Sequence, residues 1–299
     1  MPNNSIALTA KDIFDIEEFA KEKRRNFDIG MLPIGDNIFK LIRKEKIYLI
    51  SYPVEIEDDR ENNFSAIYVC LNEEESMSFI GLNTADYYDK QIFALAHELY
   101  HHFERCQLHV CRLSDEEQNY HELKANRFAA EFLLPTDKLE IEIKGVNSGE
   151  VKLDKWKHSA ILRFIARLHC EYRLPYKAIV RRLEEIGAIS KQQYDALFTE
   201  NAREQGSDYY SVGLTMNANV FQMLNQKTQR MGVEGTDLED LIRNYEDEFI
   251  SLSELKKALN LFNKKPSDFG IEEENQAVDD LEDLMEYLEG TEDDEAKHC

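Results

Sequence analysis

Residues 97–101 read His97-Glu98-Leu99-Tyr100-His101, an H-E-x-x-H pattern in a chain with only eight histidines. On a helix, residues four apart share one face and lie about 6 Å apart along the axis. Two imidazoles so placed can grip one divalent cation, and Glu98 then stands beside it as a base toward an attacking water. This is the chemistry of a zinc-dependent peptidase. The competing reading is a helix with two histidines capping an apolar face. The flanking run Gln91-Ile92-Phe93-Ala94-Leu95-Ala96 and then His102-Phe103 has helical periodicity.

A catalytic zinc ion takes three protein ligands and keeps one position open, so the third should come from a separate segment. Residues 115–134 form a second strongly helical run, with Ser114 as a candidate N-cap, Glu117 at the capping-box position and Pro135 as its stop. Glu122 and Glu131 are both candidates. Nine residues turn a helix by about 180°, so both cannot face one metal. Glu122 shares a face with Asn126, and Ala125, Ala129 and Ala130 around it would let a second helix approach closely. We therefore expect His97, His101 and Glu122 to hold zinc. Asn126 would accept a hydrogen bond from the ring N–H of His97 or His101 that does not face the metal, and Glu131 would face the other side. The competing reading of Glu122 is a solvated helix carboxylate.

The runs Gln91–His101 and Glu122–Pro135 together resemble the ImmA/IrrE family of bacterial metallopeptidases, which pairs a zinc helix of this kind with a downstream helix carrying a glutamate, an alanine–asparagine pair and a Phe-Ala-Ala run. A weaker likeness extends through Ile161–Arg167 to Arg182–Gly187, where family members often have a small helix-turn-helix-shaped subdomain. Residues 236–271 look like a C-terminal element of some members. The resemblance implies a cytoplasmic regulatory protease that cuts DNA-binding repressors and so switches on genes of mobile elements or of a DNA-damage response.

The 299 residues, 42% hydrophobic and 32% charged, suit one large domain or two to three smaller ones. The net charge of −23 disfavours direct contact with nucleic-acid phosphates and suits a basic protein partner, although solvated acidic faces would explain it as well. No run of eighteen apolar residues predicts a membrane span. Met1-Pro2-Asn3-Asn4 carries no charged-then-apolar leader, so we expect a cytoplasmic location. Five scattered cysteines argue against a disulfide framework, and Cys70 and Cys170 read as core. Cys106, His109 and Cys111 with His102 fit no zinc-ribbon or finger spacing.

Several elements must position these residues. A helix is expected over 8–29, opened near Thr9 with Ile13, Phe14, Ile16, Phe19 and Ala20 as its apolar face. A short helix follows at Ile38–Arg43, then strands at Lys46–Val54, Ser65–Leu71 and Ser76–Leu82, the last two joined by a hairpin at Asn72–Glu75. The strand at 78–82 is a candidate to pair with an extended substrate. Tyr87, Tyr88, Tyr120 and His121 are open candidates for stabilising an oxyanion. Residues 145–158 and 201–212 read as linkers around the helical stretch 159–199, whose segment Leu174–Leu183 has helix-turn-helix proportions. Arg173, Lys177, Arg181 and Arg182 make it locally basic, but we read it as a wall of the substrate cleft in preference to a DNA reader. The tail from Ile271 holds thirteen acidic residues, with Val278, Leu281, Met285 and Leu288 at helical spacing.

The expected fold class is α+β: a zincin-like metallopeptidase domain of helices and a small mixed sheet over 1–145, a helical helix-turn-helix-like subdomain over 146–200, a helical region over 201–271 and an acidic tail over 272–299. The expected function is zinc-dependent endoproteolysis of a specific protein, a basic helix-turn-helix repressor. The alternative is a catalytically silent zinc-binding regulator that sequesters a partner.

Overall fold

The computed structural model describes residues 7–55, 65–70, 78–104, 115–233, 235–260 and 264–271. The expected hairpin loop at Asn72–Glu75, the Ser114 cap, the Cys106–Cys111 segment and the acidic tail lie outside them. The chain divides into two compact units, residues 1–234 and 235–299.

The first unit mixes helices with a small sheet. Helix α1 (Ala10–Asn26) opens on a capping box between Thr9 and Asp12 and buries Ile16 and Ala20, while Phe14 stays exposed. After α2 (Ile38–Lys44) come strands β1 (Ile47–Tyr52), β2 (Ala66–Cys70) and β3 (Ser78–Asn83). The sheet order is β2-β3-β1-β4, with β1 and β3 parallel and β2 antiparallel to β3. Strand β4 (Gly232–Val233) comes from far along the chain and pairs antiparallel with β1. No periodicity in two residues announces it.

This order overturns one expectation. Residues 78–82 have a strand bonded on each side, so β3 has no open edge to offer a substrate. The edge strand beside β3 is β2, which among the described residues pairs only with β3; β4 forms the opposite edge. Cys70 in β2 is half-buried, whereas Cys170 is buried.

Helices α3 (Tyr88–Phe103) and α4 (Asp115–Leu133) pack against each other, and α3 also packs on β2 and β3. Ile92, Leu95, Ala96 and Leu99 bury the inner stripe of α3, and Ala125, Phe128, Ala129 and Phe132 that of α4. The alanines allow the close approach, and an aromatic knot sets its angle. Phe128 stacks on Phe132 with centroids 5.3 Å apart and lies 5.5 Å from both Phe19 of α1 and Tyr100 of α3.

Helices α5 (Thr136–Val146), α6 (His158–Tyr172), α7 (Tyr176–Glu185), α8 (Lys191–Phe198) and α9 (Asp208–Leu224) continue the same core. Between α6 and α7 the turn is made by Arg173 in the left-handed region (φ 59°), followed by Pro175 at the α7 cap. Helix α9 begins at Asp208, inside the stretch expected as a linker. It kinks at Asn217, where Gly213 makes room for the Phe221 ring.

The second unit holds α10 (Gly235–Glu246) and α11 (Leu252–Asn260), which buries Leu255 and Leu259. No described helix is long and apolar enough to cross a membrane.

Candidate metal centre and its cleft

On α3, His97 and His101 stand one turn apart, and Glu122 comes to them from the first half of α4. His97 Nε2 lies 3.0 Å from Glu122 Oε2 and 3.1 Å from His101 Nε2, and His101 Nε2 lies 3.6 Å from Glu122 Oε1. One ligand atom from each lies within 4.8 Å of the others. Ligand atoms held about 2.0–2.2 Å from a tetrahedral zinc ion stand roughly 3.3–3.6 Å from one another; the 3.6 Å edge falls in that range, and the 3.0 and 3.1 Å edges are hydrogen-bond lengths a few tenths of an ångström shorter. Two imidazole lone pairs and a carboxylate turned inward make a donor set that a cation satisfies and that would otherwise repel.

Asn126 Oδ1 is 3.1 Å from His97 Nδ1. The amide oxygen accepts the Nδ1 proton, which makes Nε2 the nitrogen that faces the cluster and would bind a cation in place of its proton. Glu131 turns away, as the helical geometry requires: fully buried, it accepts hydrogen bonds from Arg182 (2.6 Å) and from the backbone and hydroxyl of Thr136.

Glu98 is buried beside His97. Burial pushes its carboxyl up to about 7; the charge of His97 opposes this, the Glu122 charge adds to it, and a hydrogen bond from the Tyr68 backbone opposes it. His101 is lowered to about 4 by burial first and by the His97 charge next. Burial also works against a charge on His97, but the Glu122 hydrogen bond and the charges of Glu98 and Glu122 outweigh it and raise that ring. The His97 hydrogen bond holds Glu122 below the usual carboxylate range.

The Tyr68 contact shows that edge strand β2 faces Glu98. The Tyr68 hydroxyl is anchored 2.9 Å from Ser78 Oγ and 3.2 Å from His102 Nδ1, and His102 lies 3.5 Å from Glu45. Sequence reasoning missed Tyr68 because its position depends on strand order, for which one sequence carries no signal. Of the open oxyanion candidates, Tyr88 donates to Asp36 and Tyr120 is engaged with Asp12. Tyr87 caps the start of α3 and bridges to Lys227. His121 has a buried Nδ1 with no partner among the described residues, and its charge acts on His101 and Glu122, but it is not among the residues that line the cleft.

The centre opens into a cavity of about 990 Å³. His97, Glu98, Glu122 and Asn126 line it, Ser65 and Ala66 bring in the start of β2, and Pro175, Ala178 and Arg181 come from α7 and its cap. The segment with helix-turn-helix proportions is thus a cleft wall. Its basic character is also smaller than its sequence suggests: Arg182 is buried between Glu131 and Glu185, and Arg173 pairs with Asp36.

Residues 45–184 match the Peptidase M78 family, described as the IrrE N-terminal-like domain. The match supports the resemblance of this part of the chain to the ImmA/IrrE family. Both helices of the centre, strands β1 to β3 and most of α7 fall inside the match. No curated protein matches the chain.

Proposed function

We propose that the protein is a zinc-dependent endopeptidase that cuts a specific protein, a basic helix-turn-helix repressor, and so derepresses genes. The observation that carries the peptidase reading is the convergence of His97, His101 and Glu122 within reach of one cation, with Glu98 buried and lining a 990 Å³ cleft. Membership of a peptidase family supports it, and the net charge of −23 is complementary to a basic substrate.

His97, His101 and Glu122 would hold the ion, and Asn126 would fix the His97 ring. When bound, zinc supplies Lewis acidity. The chain's own residues do the rest. Glu98 takes a proton from the attacking water at its carboxylate and passes it to the leaving amine. The Tyr68 amide keeps that carboxylate aimed into the cleft, and the outer edge of β2 is the surface on which an extended substrate would form backbone hydrogen bonds. On this reading residues 1–145 form a zincin-like domain, residues 146–200 wall its cleft and the work takes place in the cytoplasm.

The test is to incubate the protein and zinc with a candidate repressor and resolve the products on a gel. Fragments that vanish in Glu98→Gln support the proposal. Binding without fragments, unchanged by Glu98→Gln, contradicts it and favours a silent, sequestering regulator. Cleavage rates that do not change with salt would remove the charge-steering argument for a basic partner.

A further inference from the structure

The cleft is charged in an uneven way. Among the described residues four cationic side chains line it: Lys90, Arg127, Arg181 and Arg182. Three are already neutralised from within the fold. Lys90 lies 3.2 Å from Asp86; Arg127 pairs with Glu17 at 2.6 Å and with Glu185; Arg182 pairs with Glu131 at 2.6 Å and Glu185 at 3.2 Å. Arg181 differs. It is exposed, and it has no carboxylate partner among the described residues, in a chain with 59 acidic residues to 36 basic ones. Its guanidinium lies 5.3 Å over the Phe198 ring of α8. Resting on an aromatic face restrains a guanidinium while leaving its in-plane N–H donors unspent, which is the geometry for gripping a carboxylate through two parallel hydrogen bonds. Phe93, Ala94, Ala130 and Ala178 also line the cavity, and they offer a bound peptide apolar contact and no competing charge.

We propose that Arg181 sets the specificity of this cleft by reading a carboxylate on the bound polypeptide. The preferred segment carries an aspartate or glutamate along the chain from the bond lying at the metal centre, with small or apolar residues between. This deepens the peptidase reading and rests on it for the word cleavage; the binding preference stands or falls separately. The substrate as a whole can still be basic, because Arg181 reads one side chain of the segment inside the cleft.

The experiment uses the full chain carrying Glu98→Gln, loaded with zinc. The probes are fluorescein-labelled dodecapeptides in which a single Asp, Asn or Lys is walked along an alanine–leucine background, and binding is read by fluorescence anisotropy. One Asp register should bind about tenfold more tightly than its Asn counterpart, the size of one charge-assisted contact. Adding Arg181→Glu should shift the preference at that register to Lys, and Arg181→Lys should keep it for Asp. Equal binding of Asp, Asn and Lys peptides in every register, or an Asp preference that survives Arg181→Glu, overturns the proposal. The same peptides are then offered to the chain with Glu98 intact. Cleavage indifferent to register and charge overturns the proposal and leaves the peptidase reading in place. Charge-swapped binding with no cleavage upholds Arg181 as the reader and counts against the peptidase reading.

Discussion

Two histidine–carboxylate clusters hang from α3, one near each end, and they behave in opposite ways. At the N-terminal end Asp89 is fully buried, with His169 Nε2 at 3.0 Å and Arg203 donating to both of its oxygens at 2.7 and 2.8 Å. The other nitrogen of His169 is taken by the Tyr209 hydroxyl at 2.9 Å. Both carboxylate oxygens there have a donor within the protein, so the cluster is closed and ties α3 to α6 and α9. Near the C-terminal end, His97, His101 and Glu122 turn toward one another beside a cleft, and among the described residues the hydrogen bonds between them rest on imidazole ring protons. The same residue types thus make a structural rivet in one place and a candidate ligand set in the other. What separates them is whether the surrounding fold supplies the matching hydrogen.

The largest effect expected from breaking this contrast is at Glu98. Glu98→Gln keeps the shape of the centre and removes the base, so turnover should fall by about 10²- to 10⁴-fold while zinc content stays unchanged; steady-state kinetics with metal analysis checks both. At the rivet, Asp89→Ala strands Arg203 and His169 in a buried site. It should destabilise the fold by roughly 3–5 kcal/mol, read from denaturant unfolding, whereas zinc affinity per folded molecule should not change. A third substitution sharpens the distinction at the metal end. Asn126→Ala frees the His97 ring and should weaken zinc binding by about 10- to 100-fold in a chelator competition, with unfolding little affected because Asn126 is exposed.

The smallest effect is a pH dependence to which the rivet contributes. Burial would raise the Asp89 carboxyl, but the hydrogen bond and charge of His169 and those of Arg203 override it and hold the group below its ordinary value. A carboxyl depressed in the folded state stabilises the fold above its unfolded pKa of about 3.9, and that contribution is lost as pH falls through the folded-state value. Stability of the wild type should therefore drop on acidification below about pH 4, and the drop should be shallower in Asp89→Asn, as followed by unfolding at stepped pH.

The two clusters also differ in how legible they are in the sequence. The metal-site residues are legible because helical geometry does most of the positioning. A four-residue spacing puts His97 and His101 together, and a half-turn argument, which needs nothing beyond the helix repeat, sends Glu131 away from Glu122. The apolar stripes of α3 and α4 likewise announce themselves. The rivet is not legible, since Asp89, His169 and the pair Arg203 and Tyr209 come from three separated segments and are ordinary residues in each. Strand order is equally silent. The alternation in residues 78–82 identifies a strand but not its neighbours, and the edge that faces Glu98 is β2. Arg182 reads in the sequence as a surface cation among other basic residues, and only the packing of α7 against the end of α4 and the start of α5 turns it into a buried partner of Glu131.

The most direct test of the central claim is zinc stoichiometry, measured by elemental analysis on purified full-length protein beside His97→Ala and Glu122→Ala, with Asp89→Asn as the control from the closed cluster. The account predicts one zinc per chain in the wild type and in Asp89→Asn, and loss of tightly held zinc in both ligand variants. A folded wild-type protein that takes up no zinc, or ligand variants that retain it fully, would contradict it.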